Sequence, residues 1–100
     1  MPSNMARRRQ ANGNGHMKCT YDVEVRAQCP VNPTDTDCYA FTIESESLIE
    51  VEKITAFFAD NARLKNIFQE ALTQKCAVAL GAKVRSVGWH SGVKVTCEAP

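Results

Sequence analysis

The chain has 100 residues and a formal charge of +1, from twelve Lys and Arg against eleven Asp and Glu. That length makes one domain with a modest core, for which an oligomer is a natural default. No run approaches the ~20 apolar residues of a membrane span, and the N-terminus lacks the apolar centre of a secretory signal, so a cytoplasmic protein without a membrane partner is expected.

The net charge hides an asymmetry. Arg7, Arg8 and Arg9 fall within the first sixteen residues, and residues 17–100 carry nine basic against eleven acidic side chains, near −2. Such a body lacks the clustered positive charge of a nucleic-acid surface. Residues 1–16 are rich in Asn, Gly and Arg, without periodicity. They are expected to be a disordered head or the remnant of an expression tag, with 17–100 as the domain. Five cysteines, at 19, 29, 38, 76 and 97, form no close pair and read as reduced thiols.

In chain order, Cys19, Tyr21, Val23, Val25 and Ala27 alternate with polar neighbours, which predicts a half-buried strand ending at Cys29-Pro30. Pro30 to Asp37 has loop composition. Tyr39, Phe41 and Ile43 alternate in a second strand, antiparallel to the first. Ser45-Glu46-Ser47 is a turn. Glu50 to Ala59 reads as a short helix with Val51, Ile54, Phe57 and Phe58 on its apolar face. A longer helix is predicted over Ala62 to Leu80, capped by Asp60 or Asn61, with an apolar stripe of Leu64, Ile67, Phe68, Ala71, Leu72, Cys76, Ala79 and Leu80. Gly81 ends it. Val84 opens a third strand, Gly88 to Gly92 is a turn carrying an exposed His90, and Val93, Val95 and Cys97 alternate in a fourth. The order ββααββ predicts an α+β domain: a four-stranded antiparallel sheet with two helices on one face and open edges that need a partner.

Few residues stand out for chemistry. Cys29, at a strand end beside a polar loop, reads either as a small hydrophobe or as a nucleophile, with Asp35 and Asp37 near in sequence as proton carriers. Cys29, His90 and Cys97 share no compact metal-ligand spacing, and no metal site is predicted. Cys19, Cys38 and Cys76 follow the strand and helix patterns and read as packing residues. Neither a glycine-rich phosphate loop nor a serine-nucleophile motif is present. Glu70 stands beside the helical stripe and either is solvated there or faces a cleft where helix meets sheet.

Three segments carry a resemblance. Phe68-Gln69-Glu70-Ala71-Leu72-Thr73, Cys29-Pro30-Val31 followed by Asp37, and Leu48-Ile49-Glu50-Val51-Glu52-Lys53-Ile54 resemble segments of the tunnelling-fold proteins. The nearest are the 7-cyano-7-deazaguanine (preQ0) reductases and their archaeosine-synthase-like relatives, with GTP cyclohydrolase I more distant. The resemblance spans about residues 18–99. It implies subunit sheets closed into a barrel by oligomerisation, with active sites between subunits that bind a purine-like or pterin-like ring, free or carried in tRNA or DNA. It places Glu70 on the ring-anchoring glutamate and Cys29 on the cysteine that forms a thioimide with the substrate nitrile, and makes Asp37 or Asp35 the proton carrier. It adds Gln69, Glu50 and His90 as candidate ring-binding residues.

The departures from the family pattern sort the chemistry. Cys29 to Asp37 is one residue longer than in the reductases, Asn32 replaces a threonine, and Gln69 replaces the histidine before the anchor glutamate. The stretch linked to NADPH in the reductases is here Glu50-Val51-Glu52-Lys53-Ile54-Thr55, where Glu52 repels a cofactor phosphate. NADPH is therefore disfavoured and no cofactor is firmly implied. The cyclohydrolase zinc-ligand run is absent. The expected function is thioimide formation on a 7-cyano-7-deazaguanine ring, then amination or reduction in the queuosine/archaeosine pathway. The alternatives are another pterin or purine reaction on the same fold, and a non-catalytic binding or assembly module.

Overall fold

The computed structural model describes residues 17–28, 36–62 and 67–100. Cys29, Asp35, Leu64 and residues 30–35 of the predicted Pro30 to Asp37 loop lie outside the described residues, as do residues 1–16, while Thr36 and Asp37 of that loop belong to the second strand. The elements run β1 (Cys19–Gln28), β2 (Thr36–Ser45), α1 (Val51–Asn61), α2 (Gln69–Leu80), β3 (Lys83–His90) and β4 (Val93–Ala99). The strands form one antiparallel sheet in the order β1-β2-β3-β4. This is the predicted ββααββ architecture.

The alternation seen in the sequence sets the sheet's two faces. Val25, Ala27, Tyr39, Phe41, Ile43, Val84, Ser86 and Ala99 point inward and are buried. The helices cover that face. Ile54 and Phe58 of α1 and Leu72, Cys76 and Ala77 of α2 complete the core. The rings of Phe41 and Phe58 meet edge-on at 4.8 Å between centroids. Each large apolar side chain so buried contributes roughly 1.5–3 kcal/mol. The 46–50 segment is tied down where the Ile49 amide donates to the Tyr21 hydroxyl at 2.8 Å.

The helical segment departs from expectation. The long helix over Ala62 to Leu80 is not formed: Ala62 is the C-cap of α1, and α2 begins only at Gln69, after Phe68. Asn61 does not cap the second helix. It is the last residue of α1, and its side-chain amide donates to the Phe57 carbonyl at 2.8 Å. The predicted stripe is also rotated. Ala71 and Ala79 are exposed and Phe68 is 52% exposed, whereas Gln69, Leu72, Thr73, Cys76 and Ala77 are buried. The inward positions keep helical spacing, but two of them are polar. Gly81 does end α2, in the left-handed region at φ 60°, with the Ala82 amide donating to Ala77 O at 3.2 Å.

The second hairpin is longer than predicted. Gly88, Trp89 and His90 belong to β3, and the turn is the pair Ser91-Gly92 with φ of 50° and 82°. Two consecutive positive φ values are the signature of a type I′ turn, whose twist suits a hairpin. His90 thus pairs with Val93 and its side chain faces inward, only 34% exposed.

Gly88 pairs with Tyr39 on one side and Val95 on the other. A Cβ there would stand 2.5 Å from Tyr39 Cδ1 and 3.0 Å from Gln69 Oε1. The missing side chain makes room for the Tyr39 ring and the Gln69 amide. Gly88→Ala is expected to cost about 1–3 kcal/mol through overpacking, read as a lower urea midpoint with an unchanged slope.

Candidate functional site

Gln69 is 2% exposed. Its Nε2 donates to Ser86 Oγ at 3.0 Å and to the Val95 carbonyl at 3.1 Å, and its Oε1 lies 2.8 Å from His90 Nε2. The Thr73 hydroxyl donates back to the Gln69 carbonyl at 2.7 Å. Thr73 Oγ1 and Ser86 Oγ are 2.6 Å apart. Thr73 has already committed its one proton, so Ser86 is the donor in that pair. The result is a closed ring, from the Gln69 amide to Ser86, to Thr73, and back to the Gln69 main chain. It pins the first turn of α2 onto β3 and β4, with every member satisfied.

The network continues toward β2. Asp37 is mostly buried, its side chain 16% exposed. The Tyr39 hydroxyl donates to Asp37 Oδ2 at 3.2 Å, and His90 Nδ1 lies 3.9 Å from the same oxygen. The Tyr39 and His90 rings are 5.7 Å apart at 43°. Asp37 pairs with Ala27 in β1, and Gln28 pairs with Thr36. Cys29 is the next residue in the sequence. The carboxylate is therefore held where the two strands enter the 29–35 connection.

Of the predicted site residues, the fold brings together Asp37, Gln69 and His90 through direct contacts. Glu70 is exposed in the first turn of α2. It lies near Cys97 of β4, because its negative charge acts on that thiol. Burial first, and then Glu70, push the Cys97 thiol above its ordinary value of 9.0, while a hydrogen bond with Ser86 opposes them. Glu50 is apart from this group within one chain. It precedes α1, beyond Ser45, and Ser45 is eight residues along β2 from Asp37, about 26 Å at a rise of ~3.3 Å per residue. Cys29 and Asp35 lie outside the described residues.

Tyr39, Thr73, Ser86 and Gly88 are the members that sequence reasoning missed. A signal was present in two places. Gln69 and Thr73 are four apart, so they share a helix face with Leu72 and Cys76, and Ser86 alternates inward between Val84 and Gly88.

Chemically, the site offers a carboxylate and an imidazole side by side, an exposed carboxylate one residue after the buried amide, and a half-buried thiol that resists ionisation. Among the described residues, no three His, Cys, Asp or Glu side chains cluster as metal ligands.

No protein-family model matches the chain, and no curated protein matches it in sequence. Among solved structures it is similar to the archaeosine synthase QueF-Like in the apo form, with 17% identity and a TM-score of 0.65, over 82% of this chain and 90% of that one. At that identity the likeness shows the fold: the four antiparallel strands and two helices are those of a QueF-like tunnelling fold. Among the described residues, no helix is long and apolar enough to cross a membrane.

Cys76 supplies a pH test of the core beside this site. It is fully buried, and burial pushes its thiol up to about 12. Above pH 9 the unfolded chain releases this proton while the folded chain keeps it. Stability is therefore lost as pH rises from about 9 toward 12, by at most about 1.4 kcal/mol per unit. In urea melts at pH 8 and pH 10.5, wild type should lose more stability than Cys76→Ala. Equal losses would remove the buried thiol as the cause.

Proposed function

We propose that the protein is a subunit of an enzyme that anchors a 7-cyano-7-deazaguanine ring, captures its nitrile on Cys29 as a thioimide, and converts the adduct to an amidine with ammonia. The observation that carries this reading is the placement of Asp37. Its carboxylate is fixed by Tyr39 beside His90, at the mouth of the connection that contains Cys29. Glu70 follows Gln69, whose side chain is bonded to His90, in a chain with the fold of an archaeosine synthase.

The chemistry needs three roles. An ionised Glu70 accepts hydrogen bonds from a ring N–H and its exocyclic amine, a charge-assisted pair that selects the ring's edge. The Cys29 sulfur adds to the nitrile carbon: one S–C bond forms and one C–N π bond breaks. The thiol proton leaves through Asp37, and one proton reaches the nitrogen, giving a neutral thioimide. Ammonia then forms a C–N bond at the same carbon and expels the thiol. Substrate and ammonia are consumed and the amidine is made, with no change in oxidation state. Hydride reduction of the same adduct would need two equivalents of NADPH, and Glu52, exposed in the first turn of α1, disfavours the cofactor phosphate. Gln69 acts from inside the fold. It holds the first turn of α2 in place so that the next residue, Glu70, is presented outward.

Sites between subunits accord with the two open sheet edges, β1 and β4, and leave Glu50 to serve a neighbour's ring. The test is intact-protein mass after mixing with 7-cyano-7-deazaguanine. Wild type should gain the mass of the nitrile and Cys29→Ala should not, while still binding the ring. Glu70→Gln should weaken ring binding about 10- to 100-fold, the value of hydrogen bonds to a charged group. No adduct and no ring binding on folded wild type would sink the reading.

A further inference from the structure

We propose that His90 is a positioning residue for Asp37: Gln69 keeps a proton on His90 Nε2 in both charge states, so the only mobile proton of the pair lies between His90 Nδ1 and Asp37 Oδ2. The orientation of the Gln69 amide carries this. The Val95 carbonyl can only accept, so the atom 3.1 Å from it must be the NH2 group. The second hydrogen of that group goes to Ser86, whose own proton goes to Thr73. What remains for His90 is the Gln69 carbonyl oxygen, at 2.8 Å, which can only accept. His90 Nε2 must therefore donate, whether the ring is neutral or charged.

The other ring nitrogen is then determined. In the neutral ring Nδ1 bears a lone pair and faces Asp37 Oδ2 at 3.9 Å. Two lone pairs repel, and a proton between them removes the conflict. At 3.9 Å the atoms are beyond hydrogen-bond reach. Transfer needs the side chains to close by somewhat less than 1 Å, as catalytic contacts do when a substrate is bound. The Tyr39 hydroxyl holds Oδ2 on its other side. Among the described residues, the other titratable groups tied to this network include Tyr39 on β2, whose ring meets that of His90, and Cys97 on β4 with Glu70 on α2, through the bond of Cys97 with Ser86. Glu70 is exposed, and the Cys97 thiol is held protonated by burial and by Glu70. Neither competes for the Nδ1 position that Asp37 faces.

This role rests on the nitrile-capture reading only for its use. Thiol addition releases one proton and consumes one, and a pair that stores a single proton can take the first and return the second. It ends the addition with the proton count it began with.

The experiment is two-bond 1H–15N correlation of the histidine rings in the folded, 15N-labelled protein across pH, with His16→Ala to assign His90. Nε2 should stay protonated throughout, and Nδ1 alone should lose its proton. A neutral ring protonated on Nδ1 would overturn the proposal. Asp37→Asn should shift the Nδ1 signal and leave Nε2 protonated, and an unmoved Nδ1 signal would also overturn it. In the second arm, His90→Gln keeps a donor toward Gln69 but has no titrating atom. Adduct formation should slow roughly 10- to 100-fold and lose its pH dependence, with ring binding unchanged. An unaltered rate and pH profile would refute the positioning role. If wild type forms no adduct, the nitrile reading fails, and the ring-nitrogen signals still decide where the proton sits.

Discussion

A primary amide buried in the core is the constraint on which this site depends. Left unpaired, the Gln69 side chain would cost about 1–3 kcal/mol for each unsatisfied group. It is paired on every side, to Ser86 on β3, Val95 on β4 and His90 at the end of β3. Those partners come from two strands, so the first turn of α2 can sit in only one place on the sheet. The exposed position of Glu70 and the inward turn of His90 both follow. His90 is held there by its bond to the Gln69 side-chain oxygen, and Glu70 by following Gln69 in the first turn of α2.

The sheet is divided along its length. Toward one end, Ile43, Val84, Leu72, Phe41 and Phe58 form an apolar core that supplies most of the stability. Toward the other, Asp37, Tyr39, Gly88, His90, Ser86 and Gln69 form a hydrogen-bonded layer. The two meet where Phe41 pairs with Ser86, and within the polar layer Gly88, with no side chain, lets an aromatic ring and an amide share the space over one residue. A low-dielectric surrounding strengthens each bond in such a layer and makes each missing one costly. The arrangement therefore fixes the first turn of α2 against the sheet.

Two of the described thiols follow this division. Cys76 lies in the apolar core and Cys97 at the edge of the polar layer, and burial raises both. In Cys97 the nearby Glu70 charge adds to that effect. The Glu70 carboxylate thus also opposes ionisation of the thiol on β4.

The strands were legible because a period of two, once one face is buried, leaves only one register that keeps Tyr39, Phe41 and Ile43 inside. The same pattern, with two helical segments between two hairpins, determined the ββααββ order and hence the fold class. Helix boundaries were not legible. Ile67 and Phe68 continue an apolar run, yet they precede α2, because tertiary contacts and not propensity decide where a helix begins. The rotation of α2 was hidden for a related reason. A polar residue such as Gln69 or Thr73 is read as outward unless its partners are known, and those partners, Ser86, Val95 and His90, are 13 to 26 residues away. His90 read as a flexible hairpin tip because glycines flank it, whereas Gly88 is a strand residue and only Gly92 belongs to the turn. Sequence alone determined the four strands, the order of elements along the chain and the residue types available for chemistry. Tertiary structure decided which of them meet, because the amide that joins them makes its bonds across three elements that no local pattern connects.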